Sequence, residues 1–256
     1  MKLAKLPLSM AAIALWAWGP YSDANTSLPQ VYKTATAPII DGQVDSLWQA
    51  YNWQPMDFLI LGDKPTAEDF SGRFKLTWDE NALYLLTEIT DDVLSDAYPD
   101  PTQSYWDDDC LEIFLDPDGS GGDHLYNDSA FAYHLALDGH AVDIGNKAGE
   151  IVLLDHHVEN QWRRQNEAPY RLIWEAKIGF FDSIATLSPS ELKAEQIFGF
   201  MLAYCDADGQ GSREHFMGST PITPIDNDKN LGYKTADVFA KMQLNNEIRS
   251  QKNEIK

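Results

Sequence analysis

An aromatic residue and a carboxylate stand six positions apart in residues 104–118, with types and spacing that suit sugar binding. Trp106 belongs to an aromatic and acidic run, and Glu112 follows in a segment with alternating apolar residues, which is typical of a half-buried strand. If the apolar side chains face the core, Glu112 faces the opposite way, beside the loop that carries Trp106. A tryptophan ring can stack on the C–H face of a sugar while a carboxylate accepts hydrogen bonds from two hydroxyls. The alternative is that Trp106 packs in the core and Glu112 is a solvated strand residue.

Two turns rich in aspartate and glycine follow strand-like segments, and each is a candidate cation site. The first contains Asp116, Asp118 and Asp123, and the second contains Asp206 and Asp208. Alternating aspartates around a tight turn present several hard oxygen atoms, which are the ligands that Ca²⁺ prefers. The first turn is not an EF-hand loop, because it lacks the glutamate that ends such a loop. A solvent-exposed turn without a cation would have the same composition.

The two cysteines, Cys110 and Cys205, each lie in a strand-like segment that is followed by an aspartate-rich loop. Their similar settings suggest that they are neighbours in the fold, and in an exported chain such a pair can form a disulfide. The sequence is equally compatible with two free thiols. Two thiols alone make a poor metal site, and the sequence has no CxxC motif.

The periodicity of the chain predicts an all-β fold. Nine or ten short segments have strand-like patterns, and turn signals separate them at intervals typical of antiparallel sheets. We therefore predict a two-layer antiparallel β-sandwich of the immunoglobulin-like or jelly-roll type, with little helix. The stretch that could be helical covers residues 180–194 and is interrupted by Pro189. Trp48 is expected to plug one end of the core.

The ends of the chain differ in composition from the rest. Residues 1–24 contain a short basic segment and an apolar run too short to cross a bilayer, which is typical of a secretory signal peptide. An uncleaved membrane anchor is the alternative. We expect one domain over residues 25–240 and a polar tail over residues 241–256. The expected location is secreted or periplasmic, without membrane insertion after the signal is cleaved.

The formal net charge of −21 restricts the partners that the protein can bind. A surface this acidic repels phosphate backbones and anionic lipids. We therefore exclude nucleic acid and anionic membranes as partners. The charge fits a soluble exported protein, one that binds cations or one that binds neutral ligands. The sequence contains no Gly-rich phosphate loop, HExxH or GxSxG motif. We expect a monomer.

Four segments, in order, resemble the family 9 carbohydrate-binding modules and their DOMON-like relatives. They are Ile40-Asp41-Gly42 with Asp45 and Leu47-Trp48; Trp78-Asp79 with Leu83-Tyr84 and Asp91-Asp92; Trp106 with Asp109 and Leu111–Asp116; and Trp174–Ile178 with Phe198-Gly199 and Asp206–Gly209. The resemblance implies a β-sandwich that binds sugar ends between two aromatic rings, with calcium ions holding the fold. It implies that Trp106 is the first clamp ring and that Glu112 receives sugar hydroxyls. Arg213 and Phe216 lie near the second clamp position, where Phe216 is the nearest aromatic residue.

These observations predict an exported, non-catalytic carbohydrate-binding protein. In this hypothesis Trp106 and Phe216 stack on a mono- or oligosaccharide or a glycan end, Glu112 accepts its hydroxyls, and Arg213 assists. Three alternatives remain open at this point. They are a glycoside hydrolase or an accessory part of one, a haem-binding redox sandwich in which Met201 is a candidate ligand, and a scaffold.

Overall fold

The computed structural model describes residues 27–209 and 211–249, and these residues form an all-β fold. They contain fourteen β-strands and two short 3₁₀ helices, at Ser46–Ala50 and Ala236–Val238, and no α-helix. The strands are β1 (Gln30–Lys33), β2 (Gln54–Met56), β3 (Phe58–Gly62), β4 (Phe70–Trp78), β5 (Leu83–Asp91), β6 (Cys110–Asp116), β7 (Phe131–Ala136), β8 (Ala141–Ile144), β9 (Ile151–Leu153), β10 (Val158–Arg164), β11 (Arg171–Ile178), β12 (Ile197–Asp206), β13 (His215–Gly218) and β14 (Ala240–Ile248). The predicted all-β class is confirmed.

The strands form one continuous sheet that folds over on itself into two packed layers. Its order is β10-β11-β5-β4-β1-β14-β12-β6-β7-β8-β9, with β13 and β3 beside β12 and with β2 on β4. Across the core, Phe70 stacks on Tyr204 with ring centroids 5.6 Å apart, and Phe74 meets Phe200 at 6.0 Å. Because β4 and β12 lie in different halves of the sheet, these contacts hold the halves face to face. The predicted sandwich is therefore confirmed.

Strand β6 separates two apolar clusters. Its residues Leu111, Ile113 and Leu115 belong to the main core between the layers, whereas Phe114 belongs to a second cluster on the opposite face. Side chains alternate along a strand, so Glu112 shares the face of Phe114. The alternation read from the sequence thus gives the correct orientation for this strand.

The pairing of the first and last strands departs from the antiparallel pattern. β1 pairs in parallel with β14 on one side and with β4 on the other. Parallel neighbours need a long crossover connection instead of a tight turn. In this chain the connection from β1 to β14 is almost the whole domain, so no local signal in the sequence could predict the pair.

The C-terminal strand corrects the predicted domain boundary. Residues 241–256 are predicted to be a polar tail, but β14 extends to Ile248 and buries Met242 and Leu244 in the main core. The strand carries polar residues between these apolar ones because only one of its faces meets the core. The ordered domain therefore extends past residue 240.

Residues 180–194 form no helix, contrary to the prediction. Phe180 and Ser190 make an isolated antiparallel bridge, and Phe180, Phe181 and Leu192 are buried in the main core. The three apolar side chains anchor an irregular segment to the sandwich. Tertiary packing therefore overrides the local helical pattern of this stretch.

Trp48 is buried, but it does not plug an end of the main core as predicted: it packs with Tyr84 and Leu86 in a separate apolar cluster, on the face of β5 opposite the main core. Its side chain is fully buried, and its indole Nε1 donates to Oε1 of Glu175 at 3.3 Å. The other carboxylate oxygen of Glu175 accepts the backbone N–H groups of Asp41 and Gly42 at 3.2 Å and 3.1 Å. Burial raises the pKa of Glu175 to about 7, despite these hydrogen bonds. One carboxyl group thus joins the N-terminal turn to β11.

No helix in the described part of the chain is long and apolar enough to cross a membrane. The predicted signal peptide, residues 1–24, lies outside the described residues.

Candidate functional site

A cavity of about 350 Å³ opens on the face of β6 that points away from the main core. Its lining combines aromatic, acidic and basic groups: Tyr105, Trp106, Glu112, His134, Asp143, Arg213, Asn230 and Tyr233. The structure therefore brings three of the four predicted ligand-binding residues, Trp106, Glu112 and Arg213, into one cavity.

Neighbouring strands position the polar side chains of the cavity. Glu112 of β6 lies directly opposite His134 of β7, and β8 supplies Asp143. The carboxylate of Asp143 accepts the backbone N–H groups of Ala132 at 2.8 Å and of Ile144 at 2.7 Å. Burial raises the pKa of Asp143 to about 6. Since both of its oxygens are bonded to the backbone, Asp143 chiefly fixes the wall of the cavity.

Glu112 is a buried carboxylate that three protein groups hold at one oxygen. Its Oε1 lies 2.9 Å from Nε2 of His134 and 3.3 Å from Nη1 of Arg213, and it accepts the S–H of Cys205 at 3.0 Å. Burial by itself raises the pKa of Glu112, but His134, Arg213 and these hydrogen bonds outweigh burial and hold the pKa below its ordinary value. Oε2 has no donor among the described residues, so it remains for a ligand in the cavity.

Trp106 presents an indole ring at the edge of the same cavity. Its side chain is 42% exposed, whereas the neighbouring Tyr105 is buried. Tyr105 meets Trp106 edge to face at 5.0 Å between ring centroids and meets His134 in the same way at 4.6 Å. The exposed ring is therefore supported from within the protein, which lowers the conformational entropy lost when a ligand stacks on it.

Two aspartates fix the loop that carries Trp106. Asp108 accepts two backbone N–H groups of the same loop, the nearer at 2.6 Å. Asp109 accepts the N–H of Ser95 at 2.5 Å with one oxygen and the N–H of Ala207 at 2.7 Å with the other. Asp109 therefore ties the aromatic loop to the end of β12.

Phe216 does not have the role that the sequence predicts for it. It is 1% exposed in the second apolar cluster, and it does not line the cavity. The guanidinium of Arg213 lies 4.3 Å from the centre of its ring. A buried ring has no free face for a sugar, so Phe216 supports Arg213 from below instead of stacking on a ligand.

Sequence reasoning missed seven of the cavity residues, namely Tyr105, Ala132, His134, Asp143, Ile144, Asn230 and Tyr233. His134 had a usable signal, because it alternates with Phe131, Tyr133 and Leu135 of the core and so lies on the face of Glu112. Asn230 and Tyr233 lie in the irregular segment 219–239, where no periodicity reveals which face a side chain takes.

The two cysteines are neighbours, as the sequence suggests. Cys110 and Cys205 lie directly opposite each other on β6 and β12, and both are buried. They are free thiols in this structure and not a disulfide. Met201, the candidate haem ligand, is fully buried in the second apolar cluster.

The first aspartate-rich turn does not gather its carboxylates into a group of three. Asp116 accepts the N–H of Gly121 at 2.8 Å, and Asp118 accepts the N–H of Ser120 at 2.9 Å. Among the described residues, no group of three or more cation ligands includes Asp116, Asp118 or Asp123. Hydrogen bonds within the turn therefore account for much of its aspartate content.

The second turn lies in a large acidic cluster built from distant parts of the chain. Three groups have ligand atoms within 4.8 Å of one another: Asp91, Asp109 and Asp206; Asp69, Asp92 and Asp208; and Asp69, Asp206, Glu214 and His215. The sequence predicted only Asp206 and Asp208, because the other members come from distant places: just before β4, the end of β5, just before β6 and the start of β13.

The group of Asp91, Asp109 and Asp206 fits a bound cation. All three are buried, and Asp91 Oδ1 and Asp206 Oδ2 find no hydrogen-bond partner in the described part of the chain. Burial, followed by repulsion from neighbouring carboxylates, raises the pKa of Asp206 to about 8. Adjacent buried carboxylates are unfavourable unless protons or a cation neutralise them. An all-oxygen ligand set suits a hard cation such as Ca²⁺.

A β-sandwich with an aromatic and carboxylate cavity on one face defines a class of ligand-binding modules. The chain belongs to the carbohydrate family 9 binding domain-like family, whose model matches residues 40–247. The resemblance seen in the sequence motifs is thereby confirmed.

Solved structures share the fold over nearly the whole domain. A family 9 carbohydrate-binding module from Caldicellulosiruptor kristjanssonii in complex with cellotriose has a TM-score of 0.62 and 21% identity, covering 89% of this chain and 98% of that one. A carbohydrate-binding protein of provisional assignment from Bacteroides uniformis has a TM-score of 0.58 and 14% identity, covering 85% of this chain and 100% of that one. At these identities the similarity concerns the fold alone.

Curated relatives match shorter segments. Endo-1,4-beta-xylanase A of Thermotoga maritima is 28% identical over 93 residues, which are 36% of this chain and 8% of the xylanase. Exoglucanase XynX of Acetivibrio thermocellus is 29% identical over 112 residues, which are 39% of this chain and 10% of the exoglucanase. The matched segments are thus small parts of both enzymes.

Proposed function

We propose that this protein binds carbohydrate in the cavity between Trp106 and Glu112 and does not cleave it. The observation that carries the proposal is the meeting of an exposed, supported indole ring and a buried, ionised carboxylate in one cavity. The ring stacks on the C–H face of a sugar, and Oε2 of Glu112 accepts its hydroxyl protons. The cavity of about 350 Å³ falls within the ~300–1,000 Å³ range of small-molecule sites.

The ligand is a neutral mono- or oligosaccharide or the end of a glycan. Family membership supports this class, and solved relatives of the same fold hold cellotriose and glucose. Arg213 assists from the other side of Glu112, where one of its donors is already bonded to that carboxylate. The net charge of −21 disfavours an anionic sugar.

The carboxylates of the cavity support binding over hydrolysis. Glycoside cleavage requires a general acid with a raised pKa and a second, free carboxylate. Glu112 has a lowered pKa, and Asp143, whose pKa burial raises to about 6, has both oxygens engaged by backbone N–H groups. Neither residue therefore has the setting of such an acid and base pair.

We further propose that the protein acts outside the cytoplasm as a monomer and holds structural Ca²⁺. The signal-like residues 1–24 support export. Asp91, Asp109 and Asp206 would hold the ion, with Asp208 and Asp69 beside them. When bound, the ion supplies positive charge to three buried carboxylates and stabilises the native chain.

Titration of intrinsic tryptophan fluorescence with a panel that includes glucose and cellotriose tests the proposal. A saturable change with an affinity in the ~micromolar to millimolar range is expected, because such open sites bind weakly. A flat response to every sugar from a folded, calcium-saturated protein would overturn it. Incubation with a chromogenic glycoside tests the non-catalytic assignment, since turnover that is lost in Glu112→Gln would contradict it.

A further inference from the structure

Cys110 and Cys205 are free thiols that lie where a disulfide could join them. Cys110 and Cys205 are registered directly opposite each other in an antiparallel pair of strands. Such residues have Cα atoms about 4.5–5.5 Å apart, and disulfides span about 4.4–6.8 Å. The two thiols are free, with side chains 1% and 0% exposed. The strands therefore already hold the sulfurs close enough to be joined.

One hydrogen bond connects the cysteine pair to the candidate binding cavity. The S–H of Cys205 donates to Oε1 of Glu112 at 3.0 Å, and Nη1 of Arg213 lies 3.2 Å from the same sulfur. A disulfide sulfur carries no proton and cannot donate. Joining Cys205 to Cys110 would thus remove one of the three donors on Glu112 and leave His134 and Arg213.

We propose that Cys110 and Cys205 form a redox pair that positions Glu112, so that the cavity has two states of different affinity. In the dithiol state three donors hold Oε1 of Glu112. In the disulfide state two donors remain, and the carboxylate is less firmly held and less strongly ionised. The predicted change in sugar affinity rests on the proposed carbohydrate function, whereas the loss of a donor does not.

The oxidation is a thiol–disulfide exchange with an external disulfide such as oxidised glutathione. One cysteine thiolate attacks the external disulfide, forms a mixed disulfide and releases one external thiol. The second cysteine thiolate then attacks the mixed disulfide, forms the Cys110–Cys205 bond and releases the other external thiol. The pair loses two protons and two electrons, and the external disulfide gains them to become two thiols. Because both thiols are buried, we expect exchange to be fastest while the chain folds.

The test compares protein refolded with reduced glutathione and protein refolded with a mixture of reduced and oxidised glutathione. Free thiols are counted after unfolding, cellotriose affinity is measured by titration, and the His134 ring resonances are recorded by NMR. Cys110→Ala keeps the Cys205 donor but cannot form the bond. Cys205→Ala removes the donor to Glu112 and also prevents the disulfide. Cys205→Ser provides a hydroxyl donor to Glu112 but cannot form the disulfide.

We expect the oxidised protein to contain no free thiol and to bind cellotriose about three- to tenfold more weakly than the reduced protein. Cys205→Ala should bind like the oxidised protein, and Cys110→Ala and Cys205→Ser like the reduced protein, in either glutathione buffer. The His134 resonances should differ between the two wild-type preparations and be the same in both preparations of Cys110→Ala.

Two results would overturn the proposal: two free thiols after refolding with oxidised glutathione, or a disulfide that changes neither affinity nor the His134 resonances. If cellotriose binds to neither preparation, the proposed carbohydrate function fails for this probe. The thiol count and the His134 resonances then decide the redox proposal by themselves.

Discussion

His134 Nε2 lies 2.9 Å from Oε1 of Glu112, and the two residues face each other across β6 and β7 beneath the cavity. Together with Arg213 and Cys205, this contact uses one oxygen of the carboxylate for the protein and leaves the other for a ligand. A buried carboxylate whose protein bonds are already formed does not need to reorganise when a sugar binds.

Glu112→Gln should weaken sugar binding by at least tenfold and lower the melting temperature. The amide removes the charge that Arg213 neutralises, and leaving one partner of a buried pair uncompensated costs about 3–5 kcal/mol. Calorimetric titration and thermal unfolding measure the two effects. A variant with unchanged sugar affinity would rule out Glu112 as the hydroxyl acceptor.

Trp106→Ala should abolish most sugar binding with little loss of stability. The side chain is 42% exposed, so its removal leaves no large buried cavity, but it removes the stacking face. Trp53→Ala is the matched control, because Trp53 packs under Arg73 and Lys75 and does not line the cavity. Equal losses of affinity in both variants would refute the stacking role of Trp106.

Phe216→Leu should retain most of the sugar affinity and lose stability. Leucine is smaller than phenylalanine, so the exchange leaves a cavity in the second apolar cluster and costs stability. If Phe216 were a second clamp ring, the variant would lose affinity as severely as Trp106→Ala. Sugar titrations of the two variants side by side distinguish a buried support from a clamp.

Removal of divalent cations should lower both the melting temperature and the sugar affinity. An ion that binds only the native state stabilises it, and Asp109 links the acidic group to the loop that carries Trp106. Chelator should therefore have both effects in the wild type and neither in Asp206→Asn. Asp118→Asn is the control and should respond like the wild type. Identical melting in chelator and in excess Ca²⁺ would disprove the structural ion.

Glu175 should make the stability depend on pH. Burial raises its pKa to about 7 in the folded chain, whereas its ordinary value is about 4.3. The folded state then binds the proton more tightly, so this contribution is complete below about pH 4 and is lost as the pH rises through about 7. The stability of the wild type relative to Glu175→Gln should fall over that range. A constant difference between the two proteins would contradict the raised pKa.

Local patterns in the sequence were sufficient to predict the sandwich and the orientation of β6. The alternation in β4, the mostly apolar run of β5 and the turn between them identify a hairpin, in which Asp79 accepts the N–H groups of Asn81 and Ala82. The hairpin and the orientation of β6 depend on residues close together in the chain. Period-two patterns therefore report them directly.

Features that depend on distant segments could not be predicted. Asp91, Asp109 and Asp206 come from three separate strand ends, and only the folded sheet brings their carboxylates together. The burial of Phe216 has the same origin, because the other strands of the second cluster decide which face of β13 is covered. The resemblance to the family indicated the position of Phe216 in the chain, but it could not indicate that the ring is buried.

The central position of β1 and β14 also has a consequence for how the chain folds. The sheet can connect β4 to β12 only when β14 is available, because β1 pairs with β4 and β14 pairs with both β1 and β12. On the ribosome, β14 is the last of the described strands to emerge. The two halves of the sheet can therefore be connected only after β14 pairs with β1 and β12. Contacts between residues so distant in the chain generally slow folding. During that delay the cysteines of β6 and β12 are most accessible to oxidants and to folding catalysts.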